Sequence, residues 1–252
     1  KHQVIHELCD SIVPHYSSAI EIERSDWPVI DFNTQGLTGG PIRVGLRRLL
    51  ALAKSRRRRR THMLCLASDT DPAWVHEALK DPAALLSDHA QCEKKAALSA
   101  LSLTQAFADD IEVVTQLAAF AVEELEHFEA CCQHLAKRGW SLERGGKDPY
   151  AAQLINVAGA DVQHHLVDRL LIAALIEARS TERLKILSEH HPDAELAKFC
   201  RDLMETEAGH YMFFVRLAGR VSDPTSAKAR LTALAEREAQ IVAGLPHLSK
   251  IH

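Results

Sequence analysis

The 252-residue chain has no run of about 18 apolar residues, so no segment of it reads as a membrane-spanning helix. Its six cysteines, at 9, 65, 92, 131, 132 and 200, form no Cys-x-x-Cys pair, which argues against a zinc ribbon or a rubredoxin-type iron centre. No secretory signal precedes them, and a reducing, cytoplasmic compartment is the expectation. No β pattern competes with helical periodicity anywhere in 70–245. A single sign of charge is missing too. The net charge is -4, but residues 1–62 carry 11 Lys and Arg against 6 Asp and Glu, while 63–252 carry 19 against 28.

The first 62 residues fit no packed domain. They hold Pro28, the glycines Gly36, Gly39 and Gly40, and an arginine run from Arg56 to Arg60. Such a tract is usually unstructured. It suits an arm that neutralises phosphates on a nucleic acid. The plainer expectation is a poorly structured basic extension outside the working domain, with translation able to start at Met63. Two regions are therefore expected, 1–62 and a helical domain over 63–252.

Within the second region, start and stop signals delimit the helices. A short helix over Ala73 to Lys80 is followed by Asp81-Pro82, which opens a long helix to about Phe107. Asp109-Asp110 opens the next, which ends before Gly139. A loop from Trp140 to Pro149 and a shorter helix over Tyr150 to Val157 lead to a third long helix, Val162 to Glu189, broken by His191-Pro192. A fourth covers Asp193 to Gly219, and a last one, from Asp223-Pro224 to about Ala243, is expected outside the bundle.

Each long helix carries a carboxylate on its apolar stripe. Glu177 lies on a face with Val162, Leu166, Leu170, Ala173, Leu184 and Leu187, and Glu93 on one with Leu86, His89, Ala97 and Ala100. Glu124 and His127 share a face with Val113, Leu117, Phe120 and Cys131. Glu207 and His210 share one with Leu196, Cys200, Leu203, Phe214 and Leu217. A bare buried carboxylate is too costly to leave unpaired. In order the chain offers Glu, Glu-x-x-His, Glu, Glu-x-x-His, the ligand set of a carboxylate-bridged di-iron or di-manganese four-helix bundle. The fold class is accordingly all-α, a ferritin-like bundle with a crossover connection and peripheral helices.

Order and spacing carry the weight. With 15 His in the chain, composition alone yields roughly one Glu-x-x-His by chance. Thirty or so residues separate Glu93 from Glu124, and Glu177 from Glu207. At about 1.5 Å per residue each gap fits a helix, a turn and a return to the same depth. The longer gap from Glu124 to Glu177 leaves room for the crossover. One helical turn lets Glu124 with His127, and Glu207 with His210, reach one ion.

Carboxylates with a minority of imidazoles suit iron or manganese better than zinc or copper. The metals would sit about 3.5–4 Å apart, bridged by Glu124 and Glu207 with Glu93 and Glu177 terminal. Two irons can give two electrons to dioxygen, and an external donor two more. Hydroxylation, dehydrogenation, ferroxidation and peroxide reduction are all within reach of such a site. Second-sphere groups should orient each imidazole. The residues preceding the two Glu-x-x-His glutamates are Glu123 and Thr206, where related oxygenases often carry Asp; Glu182 and Asp88 are further candidates. Cys131 and Cys132 read as small core residues, and His164-His165 as surface.

Several segments together resemble a known family: Leu85-Leu86-Ser87-Asp88-His89, Cys92-Glu93-Lys94-Lys95-Ala96-Ala97, Glu123-Glu124-Leu125-Glu126-His127-Phe128, Ile176-Glu177-Ala178-Arg179-Ser180-Thr181-Glu182-Arg183 and Glu205-Thr206-Glu207-Ala208-Gly209-His210-Tyr211. They are similar to the tRNA 2-methylthio-N6-isopentenyladenosine hydroxylases over roughly 70–220. The resemblance implies a non-haem di-iron monooxygenase with Glu93, Glu124, His127, Glu177, Glu207 and His210 as ligands. It implies dioxygen as co-substrate, an external two-electron donor of the reductase or ferredoxin type, and the isopentenyl group of the modified adenosine in the tRNA anticodon region as target. The acidic balance of 63–252 then requires local basic patches, for which Lys94, Lys95, Arg179, Arg183 and Lys185 are the candidates. The competing expectations are another ferritin-like di-iron oxidoreductase, of peroxidase or ferroxidase type, and a metal-free helical interaction module.

Overall fold

In the computed structural model, residues 63–159 and 165–252 are described. The basic tract 1–62, and Val162 and His164, lie outside them. Seven α-helices and one short 3-10 turn make up the described chain, with no strand among the described residues. They are α1 (Ala73–Ala78), α2 (Pro82–Leu103) running into the 3-10 turn Thr104–Phe107, α3 (Ile111–Lys137), α4 (Pro149–Gly159), α5 (His165–His190), α6 (Ala194–Val221) and α7 (Pro224–Gly244). No helix among them is long and apolar enough to cross a membrane.

Aspartates cap the starts of α2, α3, α6 and α7. Asp81 accepts from the Ala84 amide (2.9 Å) with Pro82 in the first turn, and Asp110 accepts from the Val113 amide (3.2 Å). Asp193 caps Glu195 and Leu196, and Asp223 caps Thr225 and Ser226. Each satisfies amides that have no partner within the helix, a contribution of about 1 kcal/mol apiece. At the far end of α3, Gly139 takes φ +67°, its amide bonds Ala136 O (3.1 Å) and that of Trp140 bonds Leu135 O (3.0 Å). This left-handed turn closes the helix and directs the chain into the loop leading to α4.

Helices α2 and α3 pack along each other, as do α5 and α6, giving two hairpins, each joined by a short connection. One apolar layer joins Ala97, Ala100 and Leu103 to Leu117, Phe120, Leu171, Leu175, Phe214 and Leu217. A second, at the other end, gathers Trp74, Leu85, Leu184, Leu187, Leu203 and Ile251. Truncating one of the fully buried leucines, such as Leu117 or Leu184, to Ala costs about 2–5 kcal/mol. The acidic positions fall between these layers.

The last helix is more than an appendage. Helix α7 packs against α4, α5 and α6, places Leu231, Leu234 and Ala235 in the main core, and buries Glu238 completely. Beyond it the chain folds back. The Ile251 amide donates to Asp88 Oδ2 (3.1 Å), Arg183 Nη1 donates to Ile251 O (2.8 Å), and Ile251 is buried.

Candidate metal centre

The stripes of α2, α3, α5 and α6 meet at one level. Glu93, Glu124, Glu177 and Glu207 are all at most 5% exposed, and His210 is as deeply buried. Two overlapping groups form there. Glu93, Glu124, His127 and Glu207 offer ligand atoms within 4.8 Å of one another, and so do Glu124, Glu177, Glu207 and His210. Glu124 and Glu207 belong to both groups.

Both imidazoles turn Nδ1 inward. His127 Nδ1 lies 3.6 Å from Glu93 Oε2, 3.5 Å from Glu207 Oε1 and 3.9 Å from Glu124 Oε2. His210 Nδ1 lies 2.8 Å from Glu124 Oε1 and 3.6 Å from Glu207 Oε2. Close as these atoms are, they do not point at each other. Both Glu124 oxygens, Glu207 Oε1 and both Nδ1 atoms are buried with no hydrogen bond of acceptable geometry. A folded interior rarely leaves so many polar atoms orphaned in one place. Oxygen and nitrogen ligands bind metals at about 2.0–2.2 Å, so donors of one ion are spaced as these are. The residues therefore fit two metal ions.

The electrostatics agree. Burial, with the Glu93 and Glu207 charges added, pushes the Glu124 carboxyl well above the usual range, and burial next to Glu207 does the same to Glu177. For Glu207 burial acts upward too, but the neighbouring His127 and His210 imidazoles outweigh it and hold the carboxyl low. His127 is likewise opposed by burial and raised to about 10 by Glu207 and Glu93. Protons and acids thus share one balance, and divalent cations would compete for it.

Around the six residues, Glu123 Oε2 accepts from His210 Nε2 (3.0 Å), leaving Nδ1 free to ligate. Thr206, half-buried before Glu207, makes no side-chain hydrogen bond to a described residue. Two other expected second-sphere groups look elsewhere. Glu182 accepts from the Thr70 amide and hydroxyl and from Arg179, and Asp88 holds the tail at Ile251 and Lys250. Arg179 and Arg183 are buried, so neither belongs to a basic patch, whereas Lys95 and Lys185 are exposed.

One residue of the site has no role in the sequence reading. His89, buried one turn before Glu93, brings Nδ1 to 3.0 Å from Glu93 Oε1. Its place four residues from a stripe carboxylate was the available signal. It also lines an apolar cavity with Leu85, Leu86, Leu184, Leu187 and Phe199.

The family model described as tRNA-(MS[2]IO[6]A)-hydroxylase (MiaE) matches residues 59–252. The chain belongs to this family. Its MiaE relatives include the tRNA 2-(methylsulfanyl)-N(6)-isopentenyladenosine(37) hydroxylase of Pseudomonas putida, 37% identical over 158 residues, covering 63% of this chain and 77% of the relative. The protein of the same name from Salmonella typhimurium is 25% identical over 223 residues, covering 69% of this chain and 82% of its own. Among solved structures, Protein 43 with aldehyde deformylating oxygenase activity from Synechococcus matches with a TM-score of 0.71 at 33% identity, over 75% of this chain and 96% of that one. The fold of this MiaE member is ferritin-like, as its four stripes require.

Proposed function

We propose that this protein hydroxylates the isopentenyl group of 2-methylthio-N6-isopentenyladenosine in the anticodon region of tRNA, using dioxygen and electrons from an external donor, in the cytoplasm. The observation that carries the reading is the pair of four-residue groups sharing Glu124 and Glu207, set in a chain of the MiaE family. Glu93, Glu124 and His127 on one hairpin, and Glu177, Glu207 and His210 on the other, would hold two iron ions. When bound, the iron pair supplies two electrons to dioxygen and is restored by the donor, so that one oxygen atom enters a C–H bond and the other leaves as water.

The side chains set the conditions for this chemistry. Glu123, by accepting from His210 Nε2, fixes the tautomer that presents Nδ1 to a cation. His89 touches Glu93 and also lines the apolar cavity, whose leucine and phenylalanine walls would offer an alkenyl group apolar contact beside the acids. The working unit is 63–252, with the basic tract 1–62 outside it; the family match, starting at residue 59, supports that division.

Mass spectrometry of tRNA nucleosides from cells with and without the gene tests the reading. The hydroxylated nucleoside should vanish without it and the prenylated precursor accumulate. Equal amounts of hydroxylated base in both would sink the proposed substrate. Deformylation of aldehydes by the iron-loaded protein would instead favour the chemistry named for the Synechococcus neighbour.

A further inference from the structure

Away from the four acids, three metal-ligating side chains from separate segments come together. Cys92 of α2, Asp148 just before α4 and His252 of the tail each offer one ligand atom within 4.8 Å of the other two. Cys92 Sγ lies 3.7 Å from His252 Nδ1, and Asp148 Oδ2 lies 3.7 Å from the same nitrogen. One ring nitrogen cannot serve both by hydrogen bonding, and 3.7 Å is too long for a good N–H···O bond. The spacing suits donors of a shared ion. Bonds of about 2.3 Å to sulfur and 2.0–2.2 Å to nitrogen or oxygen, at a tetrahedral angle, put neighbouring donors roughly 3.3–3.6 Å apart.

The remaining polar atoms already have partners. His252 Nε2 lies 2.9 Å from Ser180 Oγ, and its ring stacks on Tyr150 with centroids 5.0 Å apart and planes 15° from parallel. With the hydroxyl accepting from Nε2–H, the lone pair is left on Nδ1. Asp148 Oδ1 accepts from the Tyr150 amide (2.9 Å) and the Ala151 amide (3.3 Å), which leaves Oδ2 toward the histidine. The bonds to Asp88 and Arg183 that fix Ile251 hold His252 in place. Ligands oriented by second partners, with their free atoms converging, are the arrangement of a built metal site. The Asp148 side chain is 15% exposed and that of His252 2%, so the cluster opens to solvent on the aspartate side, where an ion and a water ligand can enter.

We propose that Cys92, Asp148 and His252 form a third cation site, separate from the dinuclear centre, that takes one divalent ion of the zinc class with water as the fourth ligand. A thiolate beside an imidazole and a single carboxylate selects zinc over magnesium, calcium or manganese. The ion acts as a clip. It joins the tail and the segment before α4 to α2 at the residue next to Glu93, and through Ser180 to α5 one turn beyond Glu177. This assignment stands whatever the dinuclear centre oxidises.

Tag-free, iron-loaded protein titrated with cobalt(II) tests it. Expected is one equivalent of cobalt per chain with a sulfur-to-cobalt charge-transfer band in the near ultraviolet, which carboxylates and imidazoles cannot produce, and its displacement by zinc. Cys92→Ser should abolish the band. Asp148→Asn and His252→Ala should each weaken cobalt binding about tenfold or more with iron content unchanged. No band in the wild-type protein at excess cobalt overturns the proposal, as does an undiminished band in Cys92→Ser. So does unaltered affinity in Asp148→Asn, whose partly exposed position keeps that variant folded.

Discussion

Two residues apart on α5, and so on nearly opposite sides of it, Glu177 and Arg179 enter two buried charged clusters that settle their polar atoms in different ways. Around Arg179 every donor is used. Nε and Nη2 donate to the two Glu238 oxygens, both at 2.8 Å, Nη1 donates to Thr70 Oγ1 (3.1 Å) and to Glu182, and Nη2 also reaches Ser68 O (3.1 Å). Tyr150 adds its hydroxyl to Glu238 Oε1 (3.1 Å). Around Glu177 the oxygens and nitrogens converge yet remain unmatched. Burial of charge alone therefore does not mark a functional site; the unsatisfied remainder does.

The sharpest break in the comparison comes from Glu124→Ala, at a carboxyl that burial and the Glu93 and Glu207 charges push upward. It removes an acid common to both half-sites, so bound iron and hydroxylation should fall to background. In metal-stripped protein the same change should leave the melting temperature level or raise it, because it relieves crowded like charges. Calorimetry with and without iron checks both halves. For Arg179→Met the expectation reverses. Iron stoichiometry should hold in the folded fraction while stability drops by about 3–5 kcal/mol, since Glu238 and Glu182 lose their counter-charge. Pairing it with Glu238→Leu should recover part of that loss in a denaturant titration.

Smaller effects refine the contrast at its edges. Glu123→Gln keeps the fold, being nearly half exposed, but should weaken iron binding about 10–100-fold by loosening the His210 tautomer. At the surface, bonding to Arg138 holds Asp193 down at about pKa 2. The sign follows from that depression. Its contribution is full above the ordinary carboxylate range and is lost as pH falls toward 2. The stability gap between wild type and Asp193→Asn should thus narrow between pH 6 and pH 2, and a gap independent of pH would rule out the ion pair as its source.

Much of this was legible beforehand because helical periodicity reports on faces. Four stripes, each with one acid, placed Glu93, Glu124, Glu177 and Glu207 at a common depth, and Asp-Pro and His-Pro pairs located the helix ends. Periodicity says nothing about which face of α5 meets which neighbour beyond its main stripe. Arg179 and Arg183 therefore read as candidates for RNA, whereas α7, the segment around Thr70 and the tail cover them. Only Glu238, 59 residues away, explains why Arg179 is inside. Cys92 and His252 are 160 residues apart, a pairing no local spacing could suggest.

The apolar layers above and below the acids also govern traffic. With leucines and phenylalanines closing both ends of that waist, a metal ion departs only when helices part locally, whatever its affinity. Chelators should strip the protein at a pace set by breathing of the hairpins, and steeply faster on warming.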